Sequence, residues 1–295
     1  MHPAPSVIVF TTLSGLGFGL LTFLGLGLPA VTGWVAFVFY LVAYLFAVGG
    51  LVASTFHLGN PKNAPKAFTQ WRTSWLSREA ICAVAALVLM GLFALGAVFF
   101  GGGWQPLGYI GALMSLATVF TTSMIYAQLK TVPRWNHWLT SALFLSLALG
   151  GGALLAGQVW AAMVLLVLAG GMQLAAWAGG DKRFRQRGHT LETATMLPGG
   201  TVRQFEPPHT GSNYLLDEMV YVVGRKHARK LRIIAMLLMV VVPVLVLFFT
   251  VDASAALTHL AVLVAVLSHL VGVACARWLF FAEAEHVVGL YYGKR

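Results

Sequence analysis

Phe56-His57-Leu58-Gly59-Asn60-Pro61 closes one apolar run, and Ser77-Arg78-Glu79-Ala80 opens the next, with Lys62, Lys66 and Arg72 in the loop between them. The flanking runs, Trp34 to Phe56 and Ala80 to Phe100, contain no Asp, Glu, Lys or Arg. A helix of about 20 apolar residues, rising about 1.5 Å per residue, crosses a hydrocarbon core about 30 Å thick. The two runs therefore read as membrane spans. The histidine, the Gly-Asn-Pro break and the Arg-Glu pair mark their shared rim, where titratable groups meet an apolar interior.

The same reading extends over the chain. Of 295 residues, 59% are hydrophobic and only 9% charged, whereas soluble domains carry about 25% charged residues. Eight apolar runs follow one another: Val7 to Leu28, Trp34 to Phe56, Ala80 to Phe100, Tyr109 to Leu129, Trp138 to Leu155, Val159 to Ala178, Leu231 to Thr250 and Ala255 to Phe281. Backbone groups in lipid must find their hydrogen bonds within their own segment, so such runs are helices. The expected fold is an all-α polytopic membrane protein, one bundle of eight transmembrane helices over residues 1–295. The first run begins close to Met1, but no Lys or Arg precedes it and no small-residue cleavage motif ends it, so it reads as a retained helix. Gly15 and Gly19, and Gly150 to Gly152, are expected to let helices approach closely. Pro243 is expected to kink the seventh helix.

Charge sets an expected orientation. The joins between spans one and two, three and four, five and six, and seven and eight hold no Lys or Arg, and Asp252 is their one charge. The loops Gly59 to Glu79, Lys130 to His137 and Gly179 to Lys230, the termini and the adjoining helix ends hold all 19 Lys and Arg residues. Cationic loops are retained in the cytoplasm on insertion. Both termini and all long loops are therefore expected on the cytoplasmic face of a bacterial inner membrane. The net charge of +10 then needs no nucleic-acid partner. Within the longest loop, Leu215, Leu216, Met219, Val222 and Val223 recur at roughly helical spacing between Asn213 and Lys230. That segment reads either as an amphipathic helix on the membrane surface or as a docking platform for a subunit.

Few residues can carry chemistry. Cys82 and Cys275 are the only cysteines, too few for an iron–sulfur cluster or a cysteine zinc site. His259 and His269 share one span but stand about 15 Å apart along it, too far to clasp one haem. His57 and His137, on different helices at the rim, remain a conceivable haem pair, and His269 is expected either to bond to a neighbouring helix or to face a water-filled pocket. No phosphate-binding loop, nucleophile elbow or paired carboxylates are present, and no chain of acidic residues lies at the midplane as in ion-coupled pumps. His57 and Glu79 are the groups able to move protons at an apolar cleft, with Arg78 placed to orient Glu79 or a ligand carbonyl. Reduction of a quinone needs two protons with its two electrons, which suits this equipment. Alternatively the two residues merely face the helix dipoles at their ends.

The order of three segments is informative: His57-Leu58-Gly59-Asn60-Pro61, then Ser77-Arg78-Glu79, then Asn213-Tyr214-Leu215-Leu216-Asp217-Glu218-Met219 before Arg225-Lys226-His227-Ala228. With the eight-span plan, it resembles the membrane anchor subunits of DMSO reductase type complexes. The resemblance implies an anchor that exchanges electrons with quinone (ubiquinone or menaquinone) and has no haem or iron–sulfur cluster of its own. An iron–sulfur subunit and a molybdopterin catalytic subunit would dock on it, and His57 and Glu79 match the family's quinone-site histidine and glutamate. Because the charge pattern puts the docking loops in the cytoplasm, the resemblance points to a sulfite dehydrogenase type complex. The alternatives are an S- or N-oxide reductase anchor that oxidises quinol, a haem b anchor and a stand-alone small-molecule transporter.

Overall fold

The computed structural model describes residues 1–56, 61–197, 199–206, 210–220 and 226–293. They form α1 (Pro5–Gly25), α2 (Gly33–Thr55), α3 (Trp75–Phe99), α4 (Gln105–Ala127), α5 (Trp138–Leu155), α6 (Val159–Gln186), α7 (Leu191–Thr195), α8 (Tyr214–Met219), α9 (Ala228–Met236), α10 (Val242–Thr250) and α11 (Ala255–Ala282). A short 3-10 segment, Pro61–Phe68, precedes α3, and a π turn, Leu237–Val241, joins α9 to α10. Eight helices, counting α9 through α10 as one, are long and apolar enough to cross a membrane, and the described residues contain no strand.

The bundle is organised around α1. Its most apolar window is 72% buried, against 28% for α2 and 33% for α3, because α1 packs against α2, α4, α5 and α11. Apolar side chains gain little by leaving lipid for protein, so small residues that admit close backbone contact decide where helices meet. A Cβ on Gly19 would lie 2.0 Å from Ala148 O, and one on Gly152 would lie 2.3 Å from the Gly19 carbonyl carbon. Gly15 has nothing within 4 Å, so its expected close contact is not made. It sits on the same helix but not on the contact side. Gly152→Ala is accordingly expected to destabilise the bundle by about 1–3 kcal/mol, since backbone cannot yield as a side chain can, whereas Gly15→Ala should be neutral. Thermal unfolding of the two variants in detergent checks this, and equal midpoints would contradict it.

Pro243 and His269 turn out to be one feature. Proline has no N–H, so the carbonyl four residues earlier, Met239 O, loses its helical donor. His269 on α11 supplies a replacement through Nδ1 at 2.7 Å, and Ser268 Oγ donates to Leu238 O at 2.8 Å. The π turn lies immediately before the proline. This is the bond to a neighbouring helix expected for His269.

The long loops and termini gather at one end, the basic end. The Met1 ammonium donates to Ala284 O at 2.7 Å, and Val287 N to Thr131 O at 3.0 Å. Two helices there extend further than hydropathy marks. The third begins at Trp75 rather than Ala80, and the sixth continues to Gln186 rather than ending near Ala178. Backbone hydrogen bonding continues past the last apolar residue at such a rim. Asp181 on that extension accepts from Arg134 Nη2 at 2.6 Å and from Arg232 Nη2 at 2.6 Å. Glu283, just past α11, accepts from Arg232 Nε at 2.7 Å and Arg134 Nη1 at 3.3 Å.

Candidate functional site

The early start of α3 decides where Glu79 sits. Instead of capping a helix at the rim, it lies in the second turn, 4% exposed, facing α4. Its Oε1 is 2.5 Å from Thr122 Oγ1, which is also 2.9 Å from Thr118 O. One hydroxyl has one proton, so it cannot donate to both acceptors. Either Thr122 donates to a Glu79 carboxylate, or a Glu79 carboxylic acid donates to Thr122 while Thr122 donates to Thr118 O. The carboxyl therefore occupies a place where both protonation states have a hydrogen-bonded arrangement ready.

Tyr126 stands one turn beyond Thr122 on α4. Its ring is held by Trp135, Phe144, Phe280 and Phe281, with centroids 5.3, 5.9, 5.4 and 5.5 Å away. Arg277, on α11, is 3% exposed, and its Cζ lies 3.6 Å from the Phe144 ring centroid. Its Nε has no hydrogen-bond partner among the described residues. An acid, two hydroxyls and a cation are thus buried near the basic end, on α3, α4 and α11.

The other candidate residues fare differently. Arg78 does not reach Glu79. Its Nε donates to Trp71 O at 2.9 Å and its Nη2 to Arg72 O at 2.7 Å, with Cζ 4.2 Å from the Trp75 ring centroid. Neighbouring residues on a helix point about 100° apart, so Arg78 faces the loop while Glu79 faces inward. His57 lies outside the described residues. His137, its conceivable haem partner, caps α5 by accepting from Leu139 N through Nδ1 at 3.2 Å. Desolvation, then Arg183 and Arg187, lower its pKa from the ordinary imidazole value. In the long loop the expected helix from Asn213 to Lys230 is helical at its two ends, over Tyr214–Met219 and from Ala228, where α9 begins, and residues 221–225 lie outside the described residues. Among the described residues no three His, Cys, Asp or Glu side chains gather as a metal site. A cavity of about 280 Å³ between α2 and α3, lined by Tyr40, Tyr44, Gly91 and Ala94, is nearly all apolar, and lies about 18 Å along α3 from Glu79.

Thr122, Tyr126 and Arg277 were not among the residues singled out in the sequence. Arg277 left a signal, being a charge inside the eighth apolar run, but it passes as one more basic helix end. Thr122 and Tyr126 left none.

Such a molecule is a multi-pass membrane protein with a carboxyl, two hydroxyls and a guanidinium buried near its basic end. A carboxylic acid proton and the Arg277 Nε–H are donors of the kind that oxygen acceptors pair with. The family model described as DMSO reductase anchor subunit (DmsC) matches residues 1–293, and the chain belongs to that family. It is accordingly a membrane anchor of a molybdopterin oxidoreductase, associated with catalytic and iron–sulfur subunits. It is 33% identical to a sulfite dehydrogenase subunit of Allochromatium vinosum, over 99% of each chain. It is also 32% identical to anaerobic dimethyl sulfoxide reductase chain YnfH of Escherichia coli K12, over 54% of this chain and 58% of that one. No solved structure matches it.

Proposed function

We propose that this anchor passes electrons from its iron–sulfur partner to membrane quinone during sulfite oxidation, at the cytoplasmic face of a bacterial inner membrane. One observation carries the quinone site: Glu79 is buried within the membrane-crossing α3 yet bonded to Thr122, so it can hold or release a proton. The basic end, by the retention of cationic loops, is the cytoplasmic one. Sulfite is favoured because similarity to a sulfite dehydrogenase subunit extends over 99% of both chains.

A bound ubiquinone or menaquinone supplies the two-electron chemistry. Glu79 gives a proton, His57 at the end of the preceding span is the second proton donor, and Arg78 belongs to the rim of the site. The catalytic and iron–sulfur partners dock on the basic end. Purification of the chain from its native membrane, followed by metal analysis, tests the assembly: molybdenum and iron should copurify, and sulfite should reduce added quinone. Copurification without sulfite activity, but with quinol-dependent reduction of an S-oxide, would instead support the reading favoured by the YnfH similarity. Absence of both metals would leave a stand-alone transporter.

Sulfite oxidation then releases its two protons, and quinone reduction takes up two, on the same face, and turnover carries no net charge across the membrane. A potential-sensitive dye in vesicles containing only this complex should stay silent on sulfite addition. A sustained response would contradict the arrangement.

A further inference from the structure

Arg277 has no role in the fold that its surroundings explain. A buried ion without a counter-ion costs several kcal/mol, so membrane proteins place intramembrane cations beside partners or in functional cavities. The acids at the basic end are already engaged: Asp181 and Glu283 bind Arg134 and Arg232. Glu283 is about 9 Å further along the helix axis than Arg277. What Arg277 has is the face of Phe144, whose ring also packs on Tyr126 at 5.9 Å, and Tyr126 stands one turn from Thr122, the partner of Glu79. Its Nε–H is buried and has no hydrogen-bond partner among the described residues. The elements packed on α3 offer little else. α1 has no titratable residue; the Tyr44 hydroxyl of α2 is bonded to Leu87 O at 2.5 Å, about two turns away; and Lys62 and Lys66 are exposed.

We propose that Arg277 and Tyr126 belong to the Glu79 site. Arg277 acts as a positioning residue whose fixed positive charge offsets the negative charge that appears there during quinone reduction, and Tyr126 is the hydroxyl-bearing ring that shares Phe144 with Arg277 and lies one turn from Thr122. This rests on the quinone reading of Glu79. In the balanced reaction, quinone takes two electrons from the iron–sulfur partner and two protons to become quinol. The Glu79 O–H bond breaks, an O–H bond forms on the ligand oxygen, and the carboxyl is left as a carboxylate until a proton from the basic end restores it. A cation already in place, and without an ion-pair partner among the described residues, stabilises that charge without having to reorganise.

The test compares Arg277→Met, Arg277→Lys, Tyr126→Phe and Glu79→Gln in the full complex. Methionine keeps the length and apolar packing on Phe144; lysine keeps the charge. The readouts are the amount of anchor in the membrane, the affinity of a fluorescent quinone-analogue inhibitor, and the KM and kcat of quinone reduction. Arg277→Met and Tyr126→Phe should each weaken the analogue by about tenfold or more, a loss of about 1.4 kcal/mol, and Arg277→Lys should remain within about threefold of the parent. A packing role gives the reverse order, with methionine tolerated and lysine poorly accumulated, and overturns the proposal. Loss in Glu79→Gln with both Arg277 variants unaffected overturns the assignment of Arg277 and leaves the quinone reading standing. Unchanged binding and turnover in Glu79→Gln removes the quinone reading, and the proposal with it.

Discussion

Glu79→Gln should lower quinone-linked sulfite turnover by about 100-fold or more, the usual range for loss of a positioned proton donor, while dye reduction by the soluble partners is unchanged. The substitution is nearly isosteric. An amide in that place still bonds to Thr122, since Thr122 Oγ1 can donate to the amide oxygen or accept from the amide nitrogen, so the packing of α3 on α4 survives. What is lost is the proton that the carboxyl can release. The dye reaction bypasses the membrane, so it reports whether the partners still assemble and oxidise substrate. His57→Ala, at the proposed second proton donor, should show the same split. Survival of quinone turnover in Glu79→Gln would place the site elsewhere in the bundle.

The sequence shows the bundle clearly because one physical requirement, satisfaction of every backbone group in lipid, acts on each span independently. Each helix could be read without knowing its neighbours. Its ends could not, because the α-helix continues after hydropathy falls. Ser77, Arg78 and Glu79 look like a loop boundary by composition, yet they occupy the first turns of α3. That shift of one turn and more turned Glu79 from a rim residue into a buried one. The helical face was equally hidden. Gly15 and Gly19 lie on one helix and look alike in sequence, but only Gly19 meets α5. Pro243 and His269 each stood out alone, and only the tertiary arrangement reveals that the carbonyl one frees is the acceptor the other uses. Thr122 and Tyr126 were illegible for a related reason. Within an apolar span a threonine can satisfy its hydroxyl on its own helix, as Thr118 does on Met114 O at 2.9 Å. Nothing in sequence distinguishes such a residue from one that faces an acid on another helix.

Glu283→Ala should destabilise the basic end by about 3 kcal/mol, near the lower bound for breaking a buried ion pair, and reduce retention of the partner subunits on the membrane. Glu283 is buried, and it accepts from two arginines carried by different elements: Arg134 in the loop between α4 and α5, and Arg232 on α9. Removing it leaves both guanidiniums, each with a quarter or less of its side chain exposed, sharing Asp181 alone. Two cations converging on one half-exposed carboxylate repel one another where water compensates only in part. Asp181→Ala should cost less, about 1 kcal/mol or below, because that carboxylate is 44% exposed and solvent screens its pairs. The difference in position thus predicts an order as well as a size. The four residues tie the ends of α6 and α11 to α9 and to the α4–α5 loop, which is the surface proposed to receive the iron–sulfur partner. Loosening it should let the partners dissociate before the bundle itself unfolds. Thermal unfolding of the two variants, with the fraction of molybdenum and iron retained on washed membranes, reads both effects. Equal stabilities for Glu283→Ala and Asp181→Ala, with full retention in each, would show that the network does not hold this surface together.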